Sequence, residues 1–282
     1  MENPIPKSLQ FPHYQQYGKA EPNSIKKVLV IQGSPRKDGV SKTEVVTAAF
    51  LEGCEQAGAS TEIVNLRDKK IAHCQGCFTC WTKTPGVCIF KDDVPEIMQQ
   101  TEEADLVVYA APLYHFGIIS LLKKYIERTL PSVEPYLIPR GDGHTTHPHR
   151  KGYKDVQNTV IIGVCGFPEV SHFGAFSANF HYLAAAGGDW GMNIIGEIYR
   201  PASEQLNNPI FDEENNRVLD AAREAGRDAV TLGYVKPETV DAIAKVSQDQ
   251  KEMQDMANQA WDYCIKNNVT MPELQLALME KK

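Results

Sequence analysis

Apolar residues recur along the chain in two alternating rhythms. Residues 27–32 (KVLVIQ) form a short run rich in β-branched side chains, the pattern of a strand buried on both faces. Residues 41–57 repeat at helical spacing, with Val45, Val46, Ala49, Phe50 and Cys54 on one side and Gly58 as the stop. Strands two to five are predicted over residues 60–66, 105–110, 158–164 and 192–199. Between them helices are predicted from an N-cap at Asp92 to about Glu103, then over 117–129, 171–186 and 214–232. Helical pattern continues from Lys236 nearly to the end. Residues 67–91 and 131–155 are irregular and long for loops, and such loops usually carry function or move.

Five strands separated by helices call for a parallel sheet covered on both faces. Right-handed crossovers then predict a flavodoxin-like three-layer α/β/α sandwich with strand order 2-1-3-4-5. In such sheets ligands bind beyond the carboxyl ends of the strands, in the crevice between strands one and three. The expected division is an N-terminal arm (1–24), a flavodoxin-like domain (25–235) and a C-terminal helical extension (236–282). The arm is rich in Pro, Gln and Tyr and reads as a floppy tail, or else as an arm lying across a neighbouring subunit.

With 282 residues, 42% hydrophobic and 23% charged, the chain has ample material for a core. Its net charge of -7 provides no global field for nucleic acid or an anionic membrane. No apolar run reaches the ~18 residues of a bilayer span, and the first residues carry no apolar stretch of a secretory signal. Seven cysteines, an odd count, argue against a disulfide framework. These features place the chain in a reducing, cytoplasmic setting.

The segment after strand one reads GSPRKDGVSKT and opens a helix, whose unpaired N–H groups and dipole suit a phosphate. Gly33 and Gly39 permit tight turns. Ser34, Ser41 and Thr43 supply hydroxyls, and Arg36 and Lys42 supply charge, Arg36 with a bidentate grip. The spacing is neither that of a P-loop nor G-x-G-x-x-G, which counts against an ATPase or a dinucleotide fold.

This loop resembles the GSPR-x-x-G-x-[ST] loop of the NADPH-dependent FMN reductase family, with Val40 where that family usually has Asn. The resemblance covers roughly residues 27–232. It implies that Ser34, Arg36, Gly39, Ser41, Lys42 and Thr43 hold the phosphate of FMN. After strand three, PLYHFGIISLLK resembles the family's P-x-Y loop, with Gly117 in place of the usual Ser. By that likeness Pro112, Leu113, Tyr114, His115 and Phe116 contact the isoalloxazine ring. Cys165 and Gly166, after strand four, fall in the family's third flavin loop. Read from the residues alone, Cys165 is a small buried side chain, not a reactive thiol.

Cys74, Cys77, Cys80 and Cys88 have the spacing C-x2-C-x2-C-x7-C, with Pro85-Gly86 as a turn before the last. A cubane needs four thiolates converging on one small volume, and three closely spaced cysteines suit that better than a zinc pair. The run resembles the cysteine motif of the iron–sulfur flavoprotein branch of the same family, which implies a [4Fe-4S] cluster. Zinc and plain free thiols stay open as alternatives. His144, His147 and His149 read as a solvated loop or a lid near the flavin.

Together these readings predict an oxidoreductase that takes electrons from NAD(P)H through FMN, with or without the cluster, to a quinone, a free flavin or a protein acceptor. The family likeness adds a homodimer or homotetramer. The rival readings are a non-catalytic electron carrier and a structural zinc-loop protein.

Overall fold

The computed structural model describes residues 3–37, 39–140, 143–187 and 191–279. Asp38 of the glycine-bearing loop, Gly141 and Asp142 of the long loop, and the extreme ends of the arm and of the C-terminal extension lie outside the described residues. Strands β1 (Lys27–Gln32), β2 (Ser60–Asn65), β3 (Leu106–Tyr114), β4 (Val156–Val164) and β5 (Gly191–Arg200) form a parallel sheet in the order β2-β1-β3-β4-β5. Val28 pairs with Thr61 on one side and Leu106 on the other, so β1 is interior. Helices cover both faces, and Val28–Ile31, Val107, Val108 and Val160–Ile162 are fully buried. That is why these strands read as continuous apolar runs.

Helix α1 (Lys42–Gln56) follows β1, α2 (Val94–Glu103) precedes β3, and α3 (Ser120–Glu127) follows it. Helix α4 (Gly174–Gly187) lies between β4 and β5, and α5 (Asp212–Leu232) packs along α1. The two backbones touch at Gly53 and Gly226. A methyl on Gly53 would stand 1.9 Å from the Arg223 carbonyl, and one on Gly226 2.0 Å from that of Phe50. No side chain fits at either place. Helices α6 (Pro237–Ala244), α7 (Gln250–Asn267) and α8 (Met271–Met279) complete the chain. No helix among the described residues is long and apolar enough to cross a membrane.

Three local expectations are corrected. Strand β3 does not stop at Ala110 but runs through Pro112 and Leu113 to Tyr114. It then reverses over His115 and Phe116, and Gly117 and Ile118 pair back antiparallel with Tyr114 and Leu113. Helix α3 consequently starts at Ser120. Helix α2 is preceded by Asp93, not Asp92, whose carboxylate is buried against Arg128.

The arm is not a floppy tail. Its backbone bonds to the body through Gly18 N–H to Ile194 O (2.9 Å) and Ala20 N–H to Gly233 O (2.8 Å). Leu9 is fully buried, and Ser8 donates to the Asp241 carboxylate of α6. Tyr17 Oη donates to the buried Glu197 carboxylate at 2.5 Å. His13 Nε2 meets Ser177 Oγ at 3.2 Å.

Burial, then the neighbouring His181, holds the His13 pKa below the ordinary histidine range, with Glu197 pulling the other way. A lowered pKa contributes stability above the unfolded value of about 6.5 and loses it as pH falls through the folded value. The arm should therefore loosen as pH falls below about 6.5. Limited proteolysis in residues 10–16 should accelerate over that range, and His13→Gln should remove the step. A cleavage rate that stays flat would dismiss His13 as the trigger.

Candidate functional site

The first loop begins at the seam between β1 and β3, where Gly33 N–H bonds to Ala110 O at 2.7 Å. A methyl on Gly33 would meet Leu122 Cβ at 3.1 Å and Ala111 Cβ at 3.2 Å, so glycine lets the loop sit tight on the sheet. Ser41 is the N-cap of α1. Its Oγ accepts from Glu44 N–H and donates to Ser34 Oγ at 2.8 Å, closing the loop on itself. From outside, Arg67 braces the loop by donating to Arg36 O (2.7 Å) and pairing with Glu44.

A small, open cleft lies at the carboxyl ends of the strands. Its walls are Ser34, Arg36, Lys42 and Thr43 from the first loop, Pro112, Leu113 and Tyr114 from the end of β3, and Val164, Cys165 and Gly166 from the end of β4. Three segments far apart in sequence thus meet at the switch point of the sheet. Gly39 (φ 75°) turns the loop outside the cleft wall. His115 and Phe116 also lie off the wall, at the rim. Both adopt positive φ (50° and 62°), the geometry of a two-residue hairpin turn usually made by Asn-Gly. Phe116 stacks on Phe167 at 5.5 Å, and His172 packs on Phe167 at 4.4 Å, so an aromatic group joins the turns after β3 and β4.

Residues the sequence reading missed complete the cleft. Ser203 and Glu204, beyond β5, line it. The Glu204 carboxylate stands 3.3 Å from Arg36 Nη1. Lys42 is nearly inaccessible and donates through Nζ to Leu206 O. Burial lowers its pKa, Glu204 raises it, and Arg36 lowers it further. Asn207 Nδ2 donates to Gly39 O at 3.2 Å. No local rhythm marks this segment; only the tertiary fold brings it to the loop. Burial pushes the Cys165 pKa up to about 12, the mark of an inert thiol.

Cys74, Cys77, Cys80 and Cys88 line one pocket, along with Phe78, Phe90, Arg128 and Pro131. Among the described residues no three His, Cys, Asp or Glu side chains stand close enough to hold a single metal ion. A cubane spaces its thiolates more widely than one tetrahedral ion, so a shared pocket with four soft donors suits it better. Hydrogen bonds from Thr79 favour the thiolate of exposed Cys77, whereas burial raises the Cys80 pKa, as does neighbouring Cys88. Gly86 N–H closes the turn on Cys80 O at 2.8 Å, and Trp81 Nε1 donates to Leu130 O at 3.1 Å. His147 of the long loop packs on Trp81 at 4.8 Å, so that loop lies against the cysteine segment.

Residues 26–148 match the family described as NADPH-dependent FMN reductase. An iron-sulfur flavoprotein of Archaeoglobus fulgidus is 39% identical over 105 residues, covering 37% of this chain and 46% of that protein. One from Methanocaldococcus jannaschii is 36% identical over 105 residues, covering 37% and 52%. The chain spans about half the length of the curated relatives it matches. In fold, it is similar to an NAD(P)H:quinone oxidoreductase from Methanothermobacter marburgensis (TM-score 0.51, 19% identity, 73% of this chain and 97% of that one). It is also similar to an FMN-dependent NADH-azoreductase from Bacillus anthracis in complex with FMN (TM-score 0.50, 18% identity, 73% and 100%). These likenesses carry the flavodoxin-like sandwich. Over residues 26–148 this chain is similar to the NADPH-dependent FMN reductase family, and iron-sulfur flavoproteins are among the proteins it resembles there.

Proposed function

We propose that this protein is an FMN-dependent NAD(P)H oxidoreductase of the cytoplasm that passes electrons to a quinone, a free flavin or a protein acceptor. The observation that carries this reading is the convergence of the first loop, the end of β3 and the end of β4 on one cleft at the switch point. Ser34, Arg36, Lys42 and Thr43 suit the phosphate, with Ser41 and Gly39 shaping their loop. Pro112, Leu113 and Tyr114 offer an apolar wall for a planar ring. His115 and Phe116 extend that wall at the rim, and Cys165 and Gly166 close the opposite side. When bound, FMN supplies the two-electron chemistry; the protein binds, orients and shields it. The half-exposed rim of Tyr114, Phe116 and Phe167 supports a second subunit lying over it, in a homodimer or homotetramer.

Cys74, Cys77, Cys80 and Cys88 would hold a [4Fe-4S] cluster, a group that relays single electrons. Four thiols on one pocket support this, as do the iron-sulfur names of the relatives.

Protein purified without air should carry a flavin spectrum that NADPH or NADH bleaches rapidly. Reduction by a ferredoxin-type donor alone would make it an electron carrier, and a colourless protein containing zinc would end the flavin reading. Arg36→Ala should weaken FMN binding by about 1–3 kcal/mol through loss of a charged phosphate partner. Unchanged affinity in a fluorescence titration would remove Arg36 from the site. Cys77→Ser should abolish bound iron and its broad absorption while FMN remains. Iron retained at the wild-type level would exclude Cys77 as a ligand.

A further inference from the structure

We propose that Glu204 is an internal stand-in for the flavin phosphate: in the flavin-free protein it holds Arg36, and an arriving phosphate displaces it and releases α8. The inference rests on the FMN reading above. It starts from the three bonds by which residues 204–207 clasp the first loop: Glu204 to Arg36, Leu206 O to Lys42, and Asn207 to Gly39 O. The two cleft cations Arg36 and Lys42 are therefore engaged by the chain itself.

The clasp is bracketed by strained backbone. Ala202 (φ 51°) and Asn207 (φ 67°) both adopt the left-handed region, which costs alanine more than asparagine. Such strain persists only while surrounding contacts hold it. The Arg36–Glu204 pair has side chains 29% and 40% exposed, and an ion pair this open is weak and exchangeable. A phosphate offers Arg36 more charge and a bidentate geometry.

Glu204 also carries a second connection. Its other oxygen accepts from Gln275 Nε2 on α8, a residue 71 positions away. Gln275 Oε1 is buried without a partner. The preceding helix α7 is tied in the same way, by Gln250 to Glu169 in the turn after β4. Helices α7 and α8 are thus each bonded to a carboxylate, Glu169 in the turn after β4 and Glu204 in the cleft wall, the second of which a phosphate must move. Riboflavin fills the ring site but brings no phosphate. Glu204 therefore selects for the phosphorylated flavin and couples its arrival to α8.

Hydrogen exchange of the α8 amides, with FMN, riboflavin or no flavin, tests this. FMN should speed α8 exchange severalfold and riboflavin should not. In Glu204→Ala, which removes both bonds, α8 should exchange fast without any flavin, and FMN should bind about two- to fivefold tighter. Wild-type protein that binds FMN with α8 protection unchanged would overturn the inference, as would Glu204→Ala binding FMN no tighter. Failure of both proteins to bind FMN at all would instead sink the cofactor reading. The flavin-free comparison stands apart from that reading: unchanged α8 exchange in Glu204→Ala defeats the latch.

Discussion

Replacing Arg128 by leucine should destabilise the fold by about 3–5 kcal/mol, because it strands a buried carboxylate. Arg128 and Asp92 are 1% and 2% exposed and bond bidentately, at 2.6 and 3.1 Å. Arg128 Nη1 also donates to Ala72 O at 2.9 Å, and Asp92 accepts from Ala72 N–H at 2.9 Å. The pair therefore clamps the chain two residues before Cys74, between the start of α2 and the end of α3. Arg128 also lies over the Phe90 ring at 5.0 Å. Burial alone would raise the Asp92 pKa, but the Arg128 bond, the Ala72 amide and the Arg128 charge outweigh it and hold it low. The pair's contribution is thus present above the unfolded carboxylate value of about 3.9 and is lost as pH falls through the folded one. Urea unfolding of Arg128→Leu measures the loss at neutral pH. Adding Asp92→Leu should recover much of it, since removing both charges leaves neither stranded. A single variant within about 1 kcal/mol of wild type would contradict the clamp.

The strands were legible because β1, β3 and β4 each centre on a short apolar run, and right-handed crossovers between alternating strands and helices then set their order. Where that rhythm misled, a local cause is visible. Pro112, Leu113 and Tyr114 looked like a loop because proline cannot donate to a ladder, yet Pro112 pairs with Val164 in β4 near the sheet's end. The reversal that follows uses His115 and Phe116 at positive φ, where a turn signal would be Asn-Gly. The arm misled differently: Leu9 and Tyr17 are scattered among prolines and glutamines, so no period announces their burial.

The candidate site was half legible. Ser34, Arg36, Lys42 and Thr43 sit on one short loop, and the switch-point rule places that loop beside the ends of β3 and β4. The other wall comes from Ser203 and Glu204, 168 positions beyond Arg36 in the case of Glu204. Glu204 looks like any surface glutamate until the fold sets it against Arg36. Asp92 was read as a helix cap for the same reason, since its partner Arg128 lies 36 residues on. Cysteine spacing located the thiol pocket but says nothing of the arginine behind it.

Glu197→Ala should also destabilise the protein by about 3–5 kcal/mol and free the N-terminal arm. Glu197 lies on β5 with no solvent exposure. One carboxylate oxygen accepts from Tyr17 Oη (2.5 Å) and Ser177 Oγ (3.1 Å) and meets His181 Nε2 at 3.2 Å. The other accepts from Tyr199 Oη at 2.5 Å. Burial would raise its pKa, yet the bond and charge of His181 and the bonds of Tyr17 and Tyr199 hold it below the ordinary glutamate range. Alanine leaves two buried phenols, a hydroxyl and an imidazole facing a void, and each unsatisfied group costs about 1–3 kcal/mol. Glutamine keeps the volume and one acceptor oxygen, so Glu197→Gln should lose less than alanine does. Because Tyr17 belongs to the arm and Tyr199 to the sheet, the alanine variant should be cut within residues 10–20 at neutral pH, where wild type resists. Alanine and glutamine variants equally stable with the arm still protected would show that apolar packing around Leu9 and Phe11, not the carboxylate, holds the arm in place.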